Sequence, residues 1–479
     1  MLWFALLLSP VVAALAAVAL PIRAVRPVNT LLAAAPLAAA LGLCDRVLAG
    51  QPAAWPATAP FLRADALSAL LTVCIAFVAL LVAWLGLDGG REPRVVRRFA
   101  ALSNLFTFTM LAAVTANNVG VMWVSIEATT ITSALLIPLK LSKASVEASW
   151  KYIVICSVGI ALAFVGTVLA YFDFVNLAGR VDAALNWTVL VAAAPHLHAE
   201  VVRLAFVFLL IGYGTKAGLS PMHTWLPDAH AEAPAPLSAM MSGTLLAVAL
   251  YAIARWQMVV AAAGQGVFAS RLLMAAGMLT LVIATFNLVL QKNFKRMLAY
   301  SSVEHTGLTC LGLALGPLGI FAALLHLLNH SVAKSMAFLL AGRVQHRYHT
   351  ADLDRVTGLQ RVMPRTASGF AVAVLALLGL PPFGLFISEL ALFRAGFATG
   401  HPWLMAAVLV LLLVVFASMT GHLGRMLYGE PPEGVPTGEP DRWALLPLAA
   451  SVAILLVLGL SLPGPVSHLL ARGVEVWGR

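Results

Sequence analysis

Residues 205–227 read AFVFLLIGYGTKAGLSPMHTWLP, and the meaning of Lys216 inside this stretch decides the fold. The flanking residues are apolar enough for a membrane-spanning helix, where a central charge costs roughly 3 kcal/mol on insertion scales. Gly218 and Pro221 follow the lysine closely, so the helix is expected to break beside the charge. A second lysine, Lys334, closes a row with His326 and His330 at a spacing of four. Two further apolar runs carry lone acids, Glu127 and Glu389. Titratable groups held across a membrane point to movement of protons or cations.

Composition agrees. Of 479 residues, 61% are hydrophobic and 10% charged, with mean hydropathy +0.94; soluble domains average about 25% charged. Apolar runs of about 20 residues recur along the chain, so it reads as an all-α polytopic membrane protein. The net charge of +10 lies in short loops between spans and not in a basic patch interleaved with aromatics, which excludes nucleic acid as an expected partner. Cys44, Cys74, Cys156 and Cys310 are far apart, without C-x-x-C, and read as small buried residues. Residues 1–20 resemble a signal peptide but lack a basic start, and Arg23 and Arg26 follow the apolar run. They are expected to form a retained first helix with its N-terminus outside.

Spans are expected at 2–20, 28–48, 64–87, 99–116, 120–139, 150–172, 202–229, 236–256, 271–290, 298–315, 319–340, 366–398, 402–421 and 443–463. Eighteen Lys and Arg fall on one set of loops, among them Arg91, Lys295, Arg296 and Arg442, against nine on the other. That bias puts both termini outside the cytoplasm. Two of the fourteen spans are interrupted, one by Gly218 and Pro221, the other by Gly379, Pro381 and Pro382. Freed carbonyls in lipid must be met by neighbouring helices, water or an ion, so such breaks belong where protein or a wet cavity surrounds them. Counted outward from the breaks, spans 4–8 and 9–13 form two matched blocks, and an odd block length inverts the second relative to the first. The chain then divides into an N-terminal three-helix segment (1–97), two half-channel repeats (98–256 and 270–428) and a C-terminal helix and tail (443–479).

Within this frame Glu127, in NNVGVMWVSIEATTITSALLIPL (117–139), needs a nearby cation to stay charged, and Lys216 is the natural partner. Paired, each keeps its charge; separated, the lysine can release a proton. A static ion pair that fixes packing is the alternative. His326, His330 and Lys334 advance 40° per step around a helix and form a slowly curving stripe. Two histidines at that spacing also suit zinc, but H-E-x-x-H is absent and a lysine extends the row, so a proton-conducting stripe is favoured. Glu389 is positioned to end that path, and Glu304 and His305 either join it or serve packing. His223, Asp228, His230 and Glu232 lie in a proline-rich connector after Lys216, with Asp228 expected to cap a helix. No nucleotide, flavin or redox-metal motif is present, so no cofactor or metal is assigned.

Three stretches, KAGLSPMHTWLPDAHAEAPAPLSAMMSG (216–243), KNFKRMLAYSSVEHTGL (292–308) and HLLNHSVAKSMAFLLAG (326–342), resemble the antiporter-like subunits shared by respiratory complex I, Mrp cation/proton antiporters and group 4 hydrogenases. The segments NNVGVMWVSIEATT (117–130), SVEASWKYIVICSVGIALAFVGT (145–167) and SSVEHTG (301–307) look most like the F-type membrane component of hydrogenase-4, the formate-hydrogenlyase subunit 3 group. This resemblance implies fourteen helices and two inverted five-helix half-channels joined by a central polar axis. It places the family's pathway residues on Glu127, Lys216, His326, His330, Lys334 and Glu389. It also implies an inner membrane, other antiporter-like subunits and a peripheral redox module, hydrogenase-like or quinone-reducing, as partners. Many relatives carry a lysine or histidine in the eighth helix, where TLLAVALYAIAR (244–255) has Ala247. A link between half-channels would then need water or another residue. The function expected is coupling of electron transfer in partner subunits to ion movement, the alternatives being an Mrp-type Na⁺/H⁺ antiporter subunit and a scaffold without transport.

Overall fold

The computed structural model describes every residue except 52, 57–59, 87–91, 180–182, 440–444 and 479. Arg91 and Arg442, counted among the loop charges, fall outside the described residues, as do the first two positions of the expected last span. In lipid a backbone must satisfy its own polar groups, and a chain this apolar does so with helices. The first half runs α1 (Leu2–Ala19), α2 (Ile22–Leu48), α3 (Ala66–Leu85), α4 (Pro93–Thr115), α5 (Val119–Ala134), α6 (Lys143–Ala178), α7 (Trp187–Ala193), α8 (Ala199–Ala217), α9 (Trp225–Glu232), α10 (Ala235–Met240) and α11 (Leu246–Val260). It continues with α12 (Gly266–Val289), α13 (Phe294–Ala314), α14 (Gly316–Tyr348), α15 (Leu359–Val362), α16 (Pro364–Leu377), α17 (Gly384–Ala398), α18 (Pro402–Leu427), α19 (Leu445–Leu460) and α20 (Gly464–Glu475). A two-residue antiparallel ladder, β1 (Ala54–Trp55) with β2 (Leu62–Arg63), supplies the strands among the described residues.

The chain is a multi-pass membrane protein. Ten helical segments are long and apolar enough to cross, or eleven if α19 and α20, bent by 71°, form one span. The fourteen read from the sequence exceed this number for physical reasons. The run Ala235–Val289 counts once, although its 55 residues extend about 80 Å at 1.5 Å each, and the chain kinks at Gly264 (φ 75°). Ser301, Ser302, Glu304, His305 and Thr306 make α13 too polar to qualify by itself. α16 and α17, with 14 and 15 residues, are each too short.

Both interruptions are present. α8 ends at Gly218, whose left-handed backbone (φ 80°) turns the chain toward a single turn at Met222–Thr224 and then α9. α16 ends at Leu377, and Gly379 (φ 61°) leads through Pro381 and Pro382 into α17. The first broken helix packs on α6 through small residues. A Cβ at Gly212 would sit 2.5 Å from the Ala163 nitrogen and 2.6 Å from the Gly159 carbonyl oxygen, so only glycine permits this approach. One expectation fails on burial: Lys295, read as a loop cation, is 1% exposed near the start of α13. The four cysteines are buried free thiols.

Outside the spans, Glu439 closes the N-terminus of α16. One carboxylate oxygen accepts from the Arg365 and Thr366 nitrogens, each at 2.9 Å. The other accepts from Thr366 Oγ1 at 2.7 Å and pairs with Arg343 at 3.5 Å. Burial pushes this carboxyl up, but the Thr366 hydrogen bonds, Arg343 and the Arg365 N–H outweigh it and hold it below the usual range. A group with a depressed folded pKa stabilises fully above its unfolded value, about 4.3, and loses that stability as pH falls through the folded one. Glu439→Ala is therefore expected to cost about 0.5–2 kcal/mol at neutral pH, as loss of an N-cap does. The gap in melting temperature from the native chain should narrow below pH about 4.3; a gap independent of pH would exclude this ionic cap.

Candidate functional site

Two buried chambers hold the charged groups. In the first, α5 starts because Asn118 accepts from the nitrogens of Gly120 and Val121, which places Glu127 two turns into the helix. Glu127 Oε1 accepts from Ser157 Oγ of α6 at 2.8 Å, and Oε2 accepts from Thr130 Oγ1 at 3.1 Å. Lys216 is 0% exposed in the last turn of α8. Carbonyls unpaired at a helix C-terminus favour a cation there. Its ammonium donates to Thr130 Oγ1 at 2.8 Å and to Tyr152 OH at 2.6 Å, and lies 4.7 Å from the Tyr152 ring centre. Tyr152 shares a further hydrogen bond with Ser133 at 2.8 Å, and its ring packs on Trp225. The indole N–H of Trp225 donates to the Thr215 carbonyl and ties α9 back to the break.

The direct Glu127–Lys216 pair expected from sequence is thus corrected. The Thr130 hydroxyl stands between the two groups, accepting from the lysine and donating to the carboxylate. One turn after Glu127 on the same face, Thr130 was open to discovery from its i+3 spacing. Tyr152 and Ser157 come from α6, and no spacing rule reaches them. A groove of about 230 Å³ between α5 and α6 brings Thr130, Ser149 and Ser157 to its floor, beside Ile131 and Trp150.

The connector is ordered, but Asp228 does not cap a helix as expected. Thr224 precedes α9 without a side-chain cap, and Asp228 lies in the first turn. There it pairs with Arg296 of α13 and, at 3.3 Å, with Lys151 of α6. His223 is buried and bonded to Ser220 at 3.0 Å. His230 is 0% exposed, stacks on Phe338 with 5.0 Å between ring centres, and has no hydrogen-bond partner at either ring nitrogen among the described residues. Glu232 is exposed at the end of α9. Beside it, the ammonium of Lys295 donates to the carbonyls of Ala231 (2.8 Å) and Ala233 (2.7 Å), a contact that burial alone reveals.

In the second chamber, α14 carries His326, His330 and Lys334, all buried. His305 of α13 enters between the two histidines. Its Nδ1 lies 3.0 Å from His326 Nε2, and its ring centre lies 5.0 Å from that of His330. His305 and Glu304 therefore belong to the stripe, with Glu304 Oε2 3.8 Å from His305 Nε2. Lys334 turns away toward α13 and donates to the Leu298 carbonyl at 2.9 Å. Glu389, half-buried on α17, lies against Gly379 of the second break, and its neighbour Ser388 bonds His326 Nδ1 at 2.9 Å. Ala247 is buried on α11; near it, Ser242 and Ser302 share a hydrogen bond at 2.7 Å across to α13.

The sequence profile of the family described as NADH:quinone oxidoreductase/Mrp antiporter, TM, matches residues 116–415, which contain both chambers. A protein named hydrogenase-4 component F homolog, from Methylacidiphilum infernorum (isolate V4), is 38% identical over 376 residues, 78% of this chain and 78% of that one. A chain of the membrane-bound sulfane sulfur reductase, an archaeal respiratory membrane complex, superposes with a TM-score of 0.88 at 26% identity, covering 98% of this chain and 96% of its own. A chain of respiratory complex I from Thermus thermophilus gives 0.85 at 26% identity, covering 100% and 99%.

Thr130→Val removes the hydroxyl that serves both charged groups and leaves each with one fewer partner. The expected cost is about 1–3 kcal/mol, read as a lower melting temperature of the solubilised protein, with Thr130→Ser near the native value. Identical melting of the valine and native proteins would show that the hydroxyl bridges nothing.

Proposed function

The chain belongs to the NADH:quinone oxidoreductase/Mrp antiporter transmembrane family, and from that premise we propose that it is the ion-translocating, non-redox membrane subunit of a hydrogenase-4-like or complex I-like assembly. The observation that carries this reading is that Lys216 and Lys334, two of three fully buried lysines, are each held by neutral oxygens within a polar cluster that contains a carboxylate, whereas the third, Lys295, is fixed by the connector carbonyls of Ala231 and Ala233. An ammonium so placed keeps or loses its proton according to small shifts of its neighbours. In the first chamber a proton leaving Lys216 passes to Thr130 Oγ1, whose own proton passes to Glu127. In the second, Glu304, His305, His326 and His330 carry it between Lys334 and Glu389. His230, stacked on Phe338 of α14 and with neither nitrogen paired among the described residues, and the Ser242–Ser302 bond to α13 are the groups proposed to supply the polar link that Ala247 lacks. A charge change imposed by a redox partner on one chamber then moves a proton in the other.

Fourteen spans, an N-terminal segment (1–97), half-channel repeats at 98–256 and 270–428 and a C-terminal segment (443–479) are part of the same proposal. Matched glycine–proline breaks at Gly218–Pro221 and Gly379–Pro382 support the repeats. Loop charges favour a bacterial-type cytoplasmic membrane with both termini outside. Partners are other antiporter-like subunits and a peripheral redox module, as suits likeness to chains of two respiratory complexes. A second reading, an Mrp-type Na⁺/H⁺ antiporter subunit, is favoured by the breadth of the family itself. A scaffold that has lost transport is favoured by Ala247. Co-purification separates the first two, since a hydrogenase-like or quinone-reducing partner supports the first and small membrane partners alone support the second.

Lys216→Ala is expected to abolish gradient formation by the native complex in sealed vesicles while the complex still purifies intact. Unchanged pumping by that variant would count for the scaffold.

A further inference from the structure

The second chamber holds an arrangement that proton transfer alone does not require. One ligand atom each from His305, His326 and Glu389 lies within 4.8 Å of the others. We propose that these three side chains form a binding site for a borderline divalent metal ion, for which Zn²⁺ is the matching probe, and that a bound ion closes the chamber.

The ring orientations carry the argument. Ser388 Oγ lies 2.7 Å from the Leu385 carbonyl and 2.9 Å from His326 Nδ1. A hydroxyl has one proton, and the carbonyl can only accept, so when that proton goes to Leu385, Ser388 accepts from Nδ1–H. His326 Nε2 is then left with its lone pair, aimed at His305. A ring held by one N–H while presenting the other nitrogen is how metal-ligating histidines are positioned. The facing nitrogens are 3.0 Å apart; two imidazoles on a tetrahedral zinc sit about 3.3 Å apart, given Zn–N bonds of about 2.0–2.1 Å.

His305 shows what an ion would repair. With no ion and the His326 proton on Nδ1, a neutral His305 places its own proton on Nδ1 to meet the His326 lone pair; the opposite pair of tautomers instead turns His305 Nε2–H toward the Leu377 carbonyl. In the first arrangement its Nε2 finds no donor among the described residues: it lies 3.8 Å from an oxygen of Glu304, and the other group facing the ring is the Leu377 carbonyl, also an acceptor. With an ion on His305 Nδ1 and His326 Nε2, the proton moves to Nε2 and faces that carboxylate. A single ion thus replaces the facing of two lone pairs by an N–H aimed at an acid. Glu389 supplies the third ligand. It has no hydrogen-bond partner among the described residues, and its carboxylate fits only because residue 379 is glycine: a Cβ there would lie 2.1 Å from Oε2. Water completes the shell. The rival occupant is a second proton on His305, which serves the same two acceptors.

Binding stands independently of the translocation reading; closure of the chamber rests on it. The test uses the native complex, stripped with a chelator and titrated with Zn²⁺, then with Co²⁺ for its visible ligand-field bands. One ion per chain is expected, with the intense bands of a four-coordinate nitrogen–oxygen site. His326→Gln and Glu389→Gln should each weaken binding at least tenfold. Ser388→Ala should weaken it about tenfold, as loss of an outer-shell partner does. His330→Gln, one ring removed, should leave it unchanged and so control for general damage to the chamber. No stoichiometric uptake, or uptake indifferent to His326→Gln and Glu389→Gln, overturns the site in favour of the proton. Zn²⁺ should also stop proton movement in vesicles. Stoichiometric binding with an undiminished proton current would overturn closure and count against a translocating role for this chamber, while leaving the site standing, so the two readings fail separately.

Discussion

An ammonium removed from water must have its hydration replaced by protein, and of the three buried lysines that face this demand, Lys216 and Lys334 are the two within the chambers. Lys216 receives two hydroxyls and an aromatic face. Lys334 receives one backbone carbonyl. Each ammonium has three protons to donate, so neither set of described partners is complete. A lysine solvated to completion by fixed dipoles would be a static structural cation. These two are instead held by few, neutral groups, where a small displacement alters the stability of the charge.

Much of the remaining structure positions those few groups. The α8 helix stops one residue after Lys216, and its last carbonyls are met by the N–H groups of Gly218 and Leu219 and by the Trp225 indole, which fixes the turn that carries the lysine. Gly212 and Gly159 let α6 approach closely enough to deliver Tyr152 and Ser157. At the second break, Gly379 leaves the space that Glu389 fills, and a Cβ at Gly384 would strike Asn329 of α14, so the break lies directly on the histidine-bearing helix. The chambers differ in chemistry: hydroxyls surround the first lysine, whereas imidazoles crowd near the second.

Features that depend on one segment were legible in the sequence. Both interruptions follow from glycine and proline order, and the buried lysines from charge inside apolar runs. The histidine row follows from spacing on one helix. Features assembled from several helices were not. Thr130 could be suspected from Glu127, but that it separates the acid from Lys216 depends on how α8 meets α5. His305 enters the row from α13, and Lys295 appears basic and loop-like until the carbonyls of Ala231 and Ala233 are seen around it. The span count suffers likewise. Polar residues that suit α13 to a chamber wall hide it from any test of apolarity, and the kink at Gly264 divides a run that composition leaves whole.

Asp228 joins the two halves in a further sense. Lys151, which it holds on one side, is the residue before Tyr152; Arg296, which it holds on the other, lies two residues before Leu298. Those neighbours are the supports of Lys216 and Lys334 respectively. A single acid on α9 is therefore linked, through ion pairs with residues next to their supports, to both ammonium seats at once, so a displacement of that short helix would bear on both.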